Sequence, residues 1–422
     1  MNIKTWTPIL LALCGLNTAV AQDRPSDQPK PIPNTRAETK AVLQRLQDRQ
    51  PRLPVPDSVP VVNPDPSRPA SNVINGRARR FYLPEAWLKS ERLGNEANAL
   101  VPYELKTQCF WIVSRGNNCH YCLGHQEHKL KAAGLSDNQI AALDRDWQQL
   151  DAKTRKAVEL ARKMTFLPFA MTQQDIQSLR PEFTDPEVIE LVYAISRFNS
   201  MNRWTDSVGL PQDHEMRGES IDFMTPTEER WNQGPSLVAI QSSIVRPKPW
   251  TDAVARKQAA EARDRQPRVA LASLDEARKT LELDADSTVN DWQRTIAQLP
   301  GAGPELIHAW TAMLDDAELD PALKAAVVWR VACCNHAAVS IAMIGPRMQP
   351  ARASDSTDIA LAFAEKLTCE PTRITDADIA TLRSVFSDRQ TAHLIYTVCV
   401  ANAMDRFTET LGLSTHGLDA KQ

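Results

Sequence analysis

From about Phe81 onward, apolar residues recur at intervals of three and four, the spacing that lines one face of an α-helix. Pro102 to Ser114 carries such a stripe, and Leu150 to Met164, Thr172 to Leu179 and Asp185 to Trp204 repeat it. Asp185-Pro186-Glu187 gives the last of these a cap, a first-turn proline and an acid beside the free amides. No stretch alternates β-branched and polar residues for long, so the pattern predicts an all-α fold. Two segments break it. Residues 22–75 hold prolines at 51, 54, 56, 60, 64, 66 and 69 and read as an extended, disordered tether, with a short helix near Ala37 to Arg49. Residues 213–267 mix polarity, prolines and a charged run from Asp252 to Arg268, and read as a connector.

The two remaining segments, 76–212 and 268–418, are copies of one unit. A shift of 203 aligns Val158–Leu210 with Leu361–Leu413 without a gap, and 19 of 53 positions are identical. The matches include Lys163/Lys366, Pro168/Pro371, Tyr193/Tyr396, Asn199/Asn402, Arg203/Arg406 and Gly209/Gly412. A shift of 218 pairs Leu105-Lys106 with Leu323-Lys324 and Trp111 with Trp329.

Composition narrows the options. A chain of 422 residues has room for two or three domains. A net charge of −3 and a pI near 6.3 imply no nucleic-acid footprint and no polybasic membrane patch. Lys4, the apolar run Thr7 to Leu16 and Ala19-Val20-Ala21 form an export signal over residues 1–21, which places the mature chain in the periplasm or outside the cell. A lipoprotein reading at Cys14 is disfavoured by the large Leu13, and no transmembrane segment is expected. Cleavage leaves seven cysteines, an odd number and no disulfide framework.

Candidate chemistry concentrates in Asn117 to Leu135, N-N-C-H-Y-C-L-G-H-Q-E-H-K-L-K-A-A-G-L. Asn117 and Asn118 are suited to cap a helix, Gly134 to close it, and Ser136 with Gln139 to box the next. Cys119 and Cys122 then share a face near a helix N-terminus, whose partial positive charge favours a thiolate, with Arg115 adding to it. His125 follows on the same face as an acid–base group. In the second copy Cys119, Cys122 and His125 face Ala337, Ser340 and Met343, so the pair belongs to the first copy alone. Cys333, Cys334 and His336 lie nearby, but adjacent cysteines point about 100° apart on a helix and do not rebuild it. Tyr193, Asn199 and Arg203 persist in the copy without the pair and read as packing residues. A static disulfide is the rival for Cys119 and Cys122; a zinc site is a second, although His125 and His128 cannot both converge with the two sulfurs from one helix.

C-H-Y-C-L-G-H followed by K-A-A-G-L-S-D-N-Q-I resembles the carboxymuconolactone decarboxylase / alkylhydroperoxidase D (AhpD-like) superfamily over roughly Leu100 to Leu210, and more weakly over Leu319 to Leu413. The resemblance implies two tandem helical-bundle repeats packed as an intrachain pseudo-dimer, with homo-oligomers common in the family. It implies an exported thiol-dependent peroxidase or disulfide oxidoreductase with no cofactor or metal. Cys122 would attack a hydroperoxide or other small-molecule substrate and Cys119 would resolve it. A thioredoxin-like partner would restore the dithiol, and His125 would move the proton. Gln126 stands where the redox branch has its histidine, and Thr107 where it has a relay glutamate, which leaves Glu104 and His128 as the alternates. A decarboxylase-like lyase acting on a small lactone acid and a non-catalytic binding module are the alternatives.

Overall fold

The apolar stripes fold as helices in both halves of the chain. The computed structural model describes residues 28–60, 73–88, 98–216, 218–223, 226–232, 236–239, 246–299, 302–349 and 354–418. The export signal at residues 1–21 lies outside the described residues. In chain order the first half runs through α1 (Arg36–Arg45), α2 (Ile74–Tyr82), α3 (Glu85–Leu88), α4 (Tyr103–Gly116) and α5 (His120–Ala132). It continues with α6 (Asp137–Arg145), α7 (Ala152–Phe166), α8 (Gln173–Gln177) and α9 (Asp185–Val208). The second half holds α10 (Asp252–Glu261), α11 (Leu274–Thr280), α12 (Asp291–Ile296), α13 (Gly303–Asp315) and α14 (Pro321–Asn335). It ends with α15 (Ala338–Ile344), α16 (Asp355–Cys369), α17 (Asp376–Arg383) and α18 (Asp388–Leu411). Among the described residues, extended pairing is confined to a small ribbon in which Glu215 faces Ser220. The fold is all-α. No helix among the described residues is long and apolar enough to cross a membrane.

The two halves repeat at the level of single hydrogen bonds. Lys163 meets Asp175 at 2.6 Å and Lys366 meets Asp378 at 2.7 Å. Asn199 Nδ2 donates to Thr165 Oγ1, and Asn402 Nδ2 to Thr368 Oγ1. The two 24-residue helices α9 and α18 pack against each other and form the most extensive contact between the halves. Each opens with a capping box, Thr184 with Glu187 and Ser387 with Gln390; in α9 the cap stands one residue ahead of the expected Asp185. Each closes on a left-handed glycine, Gly209 at φ 73° and Gly412 at φ 61°.

The tether and the connector depart from expectation. The described part of the first, residues 28–60, is packed against the helices. Thr35 and Glu38 box the start of α1, and Leu43, Leu46 and Leu53 are buried. Arg36 forms a buried ion pair with Glu127 at 2.6 Å. Prolines set the composition here, but apolar residues at helical spacing set the packing. The described end of the connector is the same element again, because Asp48-Arg49-Gln50-Pro51-Arg52 recurs letter for letter as Asp264-Arg265-Gln266-Pro267-Arg268. The arms preceding these pentapeptides match at the same offset of 216, Thr35 and Thr251 capping α1 and α10. Each repeat therefore begins with an arm and a helix that mean composition assigns to linkers.

The pentapeptide clasps the end of the long helix. Arg52 N donates to Val208 O at 2.8 Å and its guanidinium to Asp206 O at 2.7 Å; Arg268 does the same to Leu411, Glu409 and Thr410. A cation on the last carbonyls offsets the negative end of the helix. Arg52 also reaches Asp376 in the other half, and Arg180 donates to Arg268 O. A Cβ on Gly412 would lie 2.9 Å from Arg268 Nε, in addition to the strain of a positive φ. Gly412→Ala is therefore expected to lower the unfolding free energy by about 1–2 kcal/mol, read as a shift of the urea midpoint.

Candidate functional site

α4 and α5 join through a two-residue turn that sets the two cysteines. Asn117 ends α4 and Asn118 takes a left-handed conformation at φ 53°, so Cys119 itself becomes the N-cap of α5 and Cys122 completes its first turn. The asparagines thus make the turn and do not cap α5. The turn is held by α9. Asn117 Nδ2 donates to Asn199 Oδ1 at 3.0 Å and to Asn202 Oδ1 at 3.2 Å, with all three side chains buried. This places Asn199 in the packing role read for it from the repeat.

One turn further along α9 stands Thr205. Its hydroxyl lies 3.1 Å from Cys119 Sγ and 3.2 Å from Cys122 Sγ, and bonds the Met201 carbonyl at 3.1 Å. The two thiols are free, near each other, and 1% and 3% exposed. Burial pushes both thiols up. For Cys119 the hydrogen bond from Cys122, the Lys30 ammonium and the Thr205 hydroxyl more than offset burial and Asp206, and it moves below the ordinary thiol value. Cys122 is held well above it, by burial first and then by the neighbouring sulfur. Ionisation of the pair is therefore favoured at Cys119, the helix N-cap, over Cys122.

The arm before α1 supplies the cation. Lys30 Nζ donates to Asn118 O at 2.8 Å and pairs with Asp206, while Asn118 Nδ2 donates to Pro31 O. Arg115 does not serve the sulfurs. It is buried against Asp144 at 3.2 Å and donates to Pro33 O. His120, between the two cysteines, is bonded to Asn118 and kept neutral by burial and by surrounding cations.

The relay residues fall elsewhere. His125 shares its Nδ1 between Tyr121 O and Gln212, and its Nε2 faces Asp213 Oδ2 at 3.2 Å. Among the described residues no hydrogen bond joins that ring to either sulfur, because Asp213 and Tyr121 turn it toward the chain after α9. His128, less than one turn beyond His125 along α5, faces Glu219 at 3.8 Å. Glu104 is exposed in the first turn of α4, bonded to Gln108, the length of a 14-residue helix from the turn that carries Cys119. Thr205 is the contact that sequence reasoning missed. Thr205/Thr408 is a repeat identity kept in the copy without the cysteines, so the repeat comparison groups Thr205 with Asn199 as a packing residue and hides the contact.

In the second half, Ala337 and Ser340 occupy the cysteine positions and Asp405 replaces Asn202. Asn335 Nδ2 donates to Asn402 Oδ1 and to Asp405 Oδ2, so the amide lock survives without the thiols. Comparison with known protein families finds none that matches the chain, and comparison with curated proteins finds none either.

Two outcomes follow from this geometry. Thr205→Val removes the hydroxyl that stabilises the thiolate, so the rise in thiolate absorbance near 240 nm is expected at higher pH than in wild type, and Thr205→Ser is expected to keep it. Burial raises Asp405 to about 7. The folded state therefore holds its proton more tightly than the unfolded chain, and stability falls as pH rises from about 4 through 7. Asp405→Asn, which copies the first repeat, is expected to remove that fall and to be about 1–3 kcal/mol more stable than wild type at pH 8.

Proposed function

We propose that the chain is an AhpD-like thiol-dependent peroxidase or disulfide oxidoreductase working through Cys119 and Cys122, with its two repeats paired as a pseudo-dimer. The observation that carries this reading is the pair of buried thiols sharing the Thr205 hydroxyl at the start of α5. A structural cysteine needs no such arrangement, whereas a redox pair needs a stabilised thiolate and a second thiol in contact with it.

The steps follow from the charge distribution. The Cys119 thiolate attacks the terminal oxygen of a hydroperoxide, the O–O bond breaks, and an alkoxide leaves as the alcohol after taking a proton. Cys119 is then a sulfenic acid. The Cys122 sulfur attacks it, the S–O bond breaks, and hydroxide leaves as water with the Cys122 proton. An external dithiol of thioredoxin-like chemistry reduces the disulfide. This order exchanges the roles that family resemblance suggests, because Lys30 and the N-cap position favour charge on Cys119. The Thr205 hydroxyl, bonded to the Met201 carbonyl at rest, is the polar group able to turn toward either sulfur as charge moves.

Hydroperoxide consumption by the purified chain with excess dithiol is expected to fall well below the wild-type rate in both Cys119→Ser and Cys122→Ser. In Cys122→Ser, a sulfenic-acid trap is expected on Cys119. Equal rates for wild type and both variants would sink the reading. Activity indifferent to dithiol and to cysteine alkylation would favour the lyase.

A further inference from the structure

The second repeat lacks the Cys119–Cys122 pair but brings two other thiols together. Cys334 lies at the end of α14 and Cys369 is the last residue of α16, which packs along it. The Cys334 and Cys369 thiols act on each other's ionisation, and the Arg246 guanidinium acts on Cys369. Both cysteines are free; Cys334 is buried and Cys369 partly exposed. Their counterparts in the first repeat are Gly116 and Phe166, where the ring fills the space, since a Cβ on Gly116 would lie 3.0 Å from Phe166 Cζ. The pair is thus specific to the second repeat, as the other pair is to the first.

The surroundings call for an anion at this point. Arg203 and Arg406 are buried on the facing long helices, and each uses its Nη1 on an asparagine carbonyl of its own helix. Nε and Nη2 of both have no hydrogen-bond partner among the described residues. Arg246 joins them, donating to Thr368 O at 3.2 Å. The three guanidiniums repel one another, and among the described residues Cys369 is the one group whose negative charge would attract all three. Asp405 acts on Arg406, and no carboxylate among the described residues attracts Arg203. Buried like charges without a counter-ion are costly, and a thiolate at their focus relieves that cost. Arg246 also sits on the second arm at the place that Lys30 holds on the first, 216 residues earlier. In both repeats the arm brings a cation to a cysteine.

We propose that Cys334 and Cys369 form a second thiol-redox site, in which Arg246, backed by Arg203 and Arg406, holds Cys369 as the nucleophile and Cys334 resolves it. A hydroperoxide is the oxidant. The Cys369 thiolate takes its terminal oxygen as the O–O bond breaks and the alkoxide leaves as alcohol with a proton. Cys334 then attacks the Cys369 sulfenic acid, the S–O bond breaks, and hydroxide leaves with the Cys334 proton as water. A dithiol returns the two electrons to the disulfide. Cys369 is displaced to about 7, first by the Cys334 hydrogen bond and, against burial, by Arg246.

The test uses the full chain carrying Cys119→Ser and Cys122→Ser, so that this site is read separately from the first. One equivalent of hydrogen peroxide, alkylation, digestion and mass spectrometry are expected to give a Cys334–Cys369 linked peptide that survives Cys333→Ser and disappears in Cys334→Ser. If the double variant does not fold, the wild-type chain gives the same reading, because linked peptides from the two pairs differ in mass. Iodoacetamide at pH 6 is expected to label Cys369 about fivefold faster in the folded protein than in urea, and Arg246→Ala to lose that advantage. A linkage through Cys333, no linked peptide, or slower labelling in the folded protein than in urea would overturn the proposal.

Discussion

The buried amide of Asn117, held between Asn199 and Asn202, is the interaction on which the first site depends. It fixes the turn between α4 and α5 against α9, and the turn fixes Cys119 at the start of α5. Asn199, Asn202, Thr205 and Asp206 rise along one face of α9 and meet in turn the α4–α5 turn, the two sulfurs and the Lys30 ammonium. A buried polar group without a partner is expensive, so each of these contacts excludes other placements of the turn. The long helix acts as a ruler, and the chemistry is read off its positions.

The second repeat shows how frame and chemistry separate. Asn335 repeats the amide lock on Asn402, while Ala337 and Ser340 leave the turn without sulfur. What varies between the repeats is where the thiols stand relative to an arm cation. Lys30 reaches the N-cap of α5, and Arg246 reaches the end of α16. The arms are held in turn by arginines that cap the long helices, so the ends of α9 and α18 connect packing to electrostatics.

Much of the fold was legible because helical spacing, Gly134 and the Ser136–Gln139 box are local signals that the structure repeats. The arms were hidden because prolines dominate their composition, while Leu43, Leu46 and Leu53 do the packing. The repeated Asp-Arg-Gln-Pro-Arg was the signal that would have shown them to be equivalent. The two cysteines were legible from spacing alone. Their neighbours were not, because Thr205 and Lys30 come from segments 86 and 89 residues away in sequence from Cys119, and spacing along one helix says nothing of them. His125 shares a face with Cys122 in sequence, yet Asp213 and Tyr121 take its ring, an outcome set by the segment after α9.

The central claim is that Cys119 and Cys122 form a labile dithiol in which Cys119 is the more acidic sulfur. A redox titration of the purified chain against dithiol–disulfide buffers, with alkylation and mass mapping at each point, tests it most directly. The account predicts a two-electron transition for Cys119–Cys122, with a potential above about −300 mV, the region of reversible protein dithiols. A pair that never forms a disulfide, or one that resists reduction far below that potential, would contradict it.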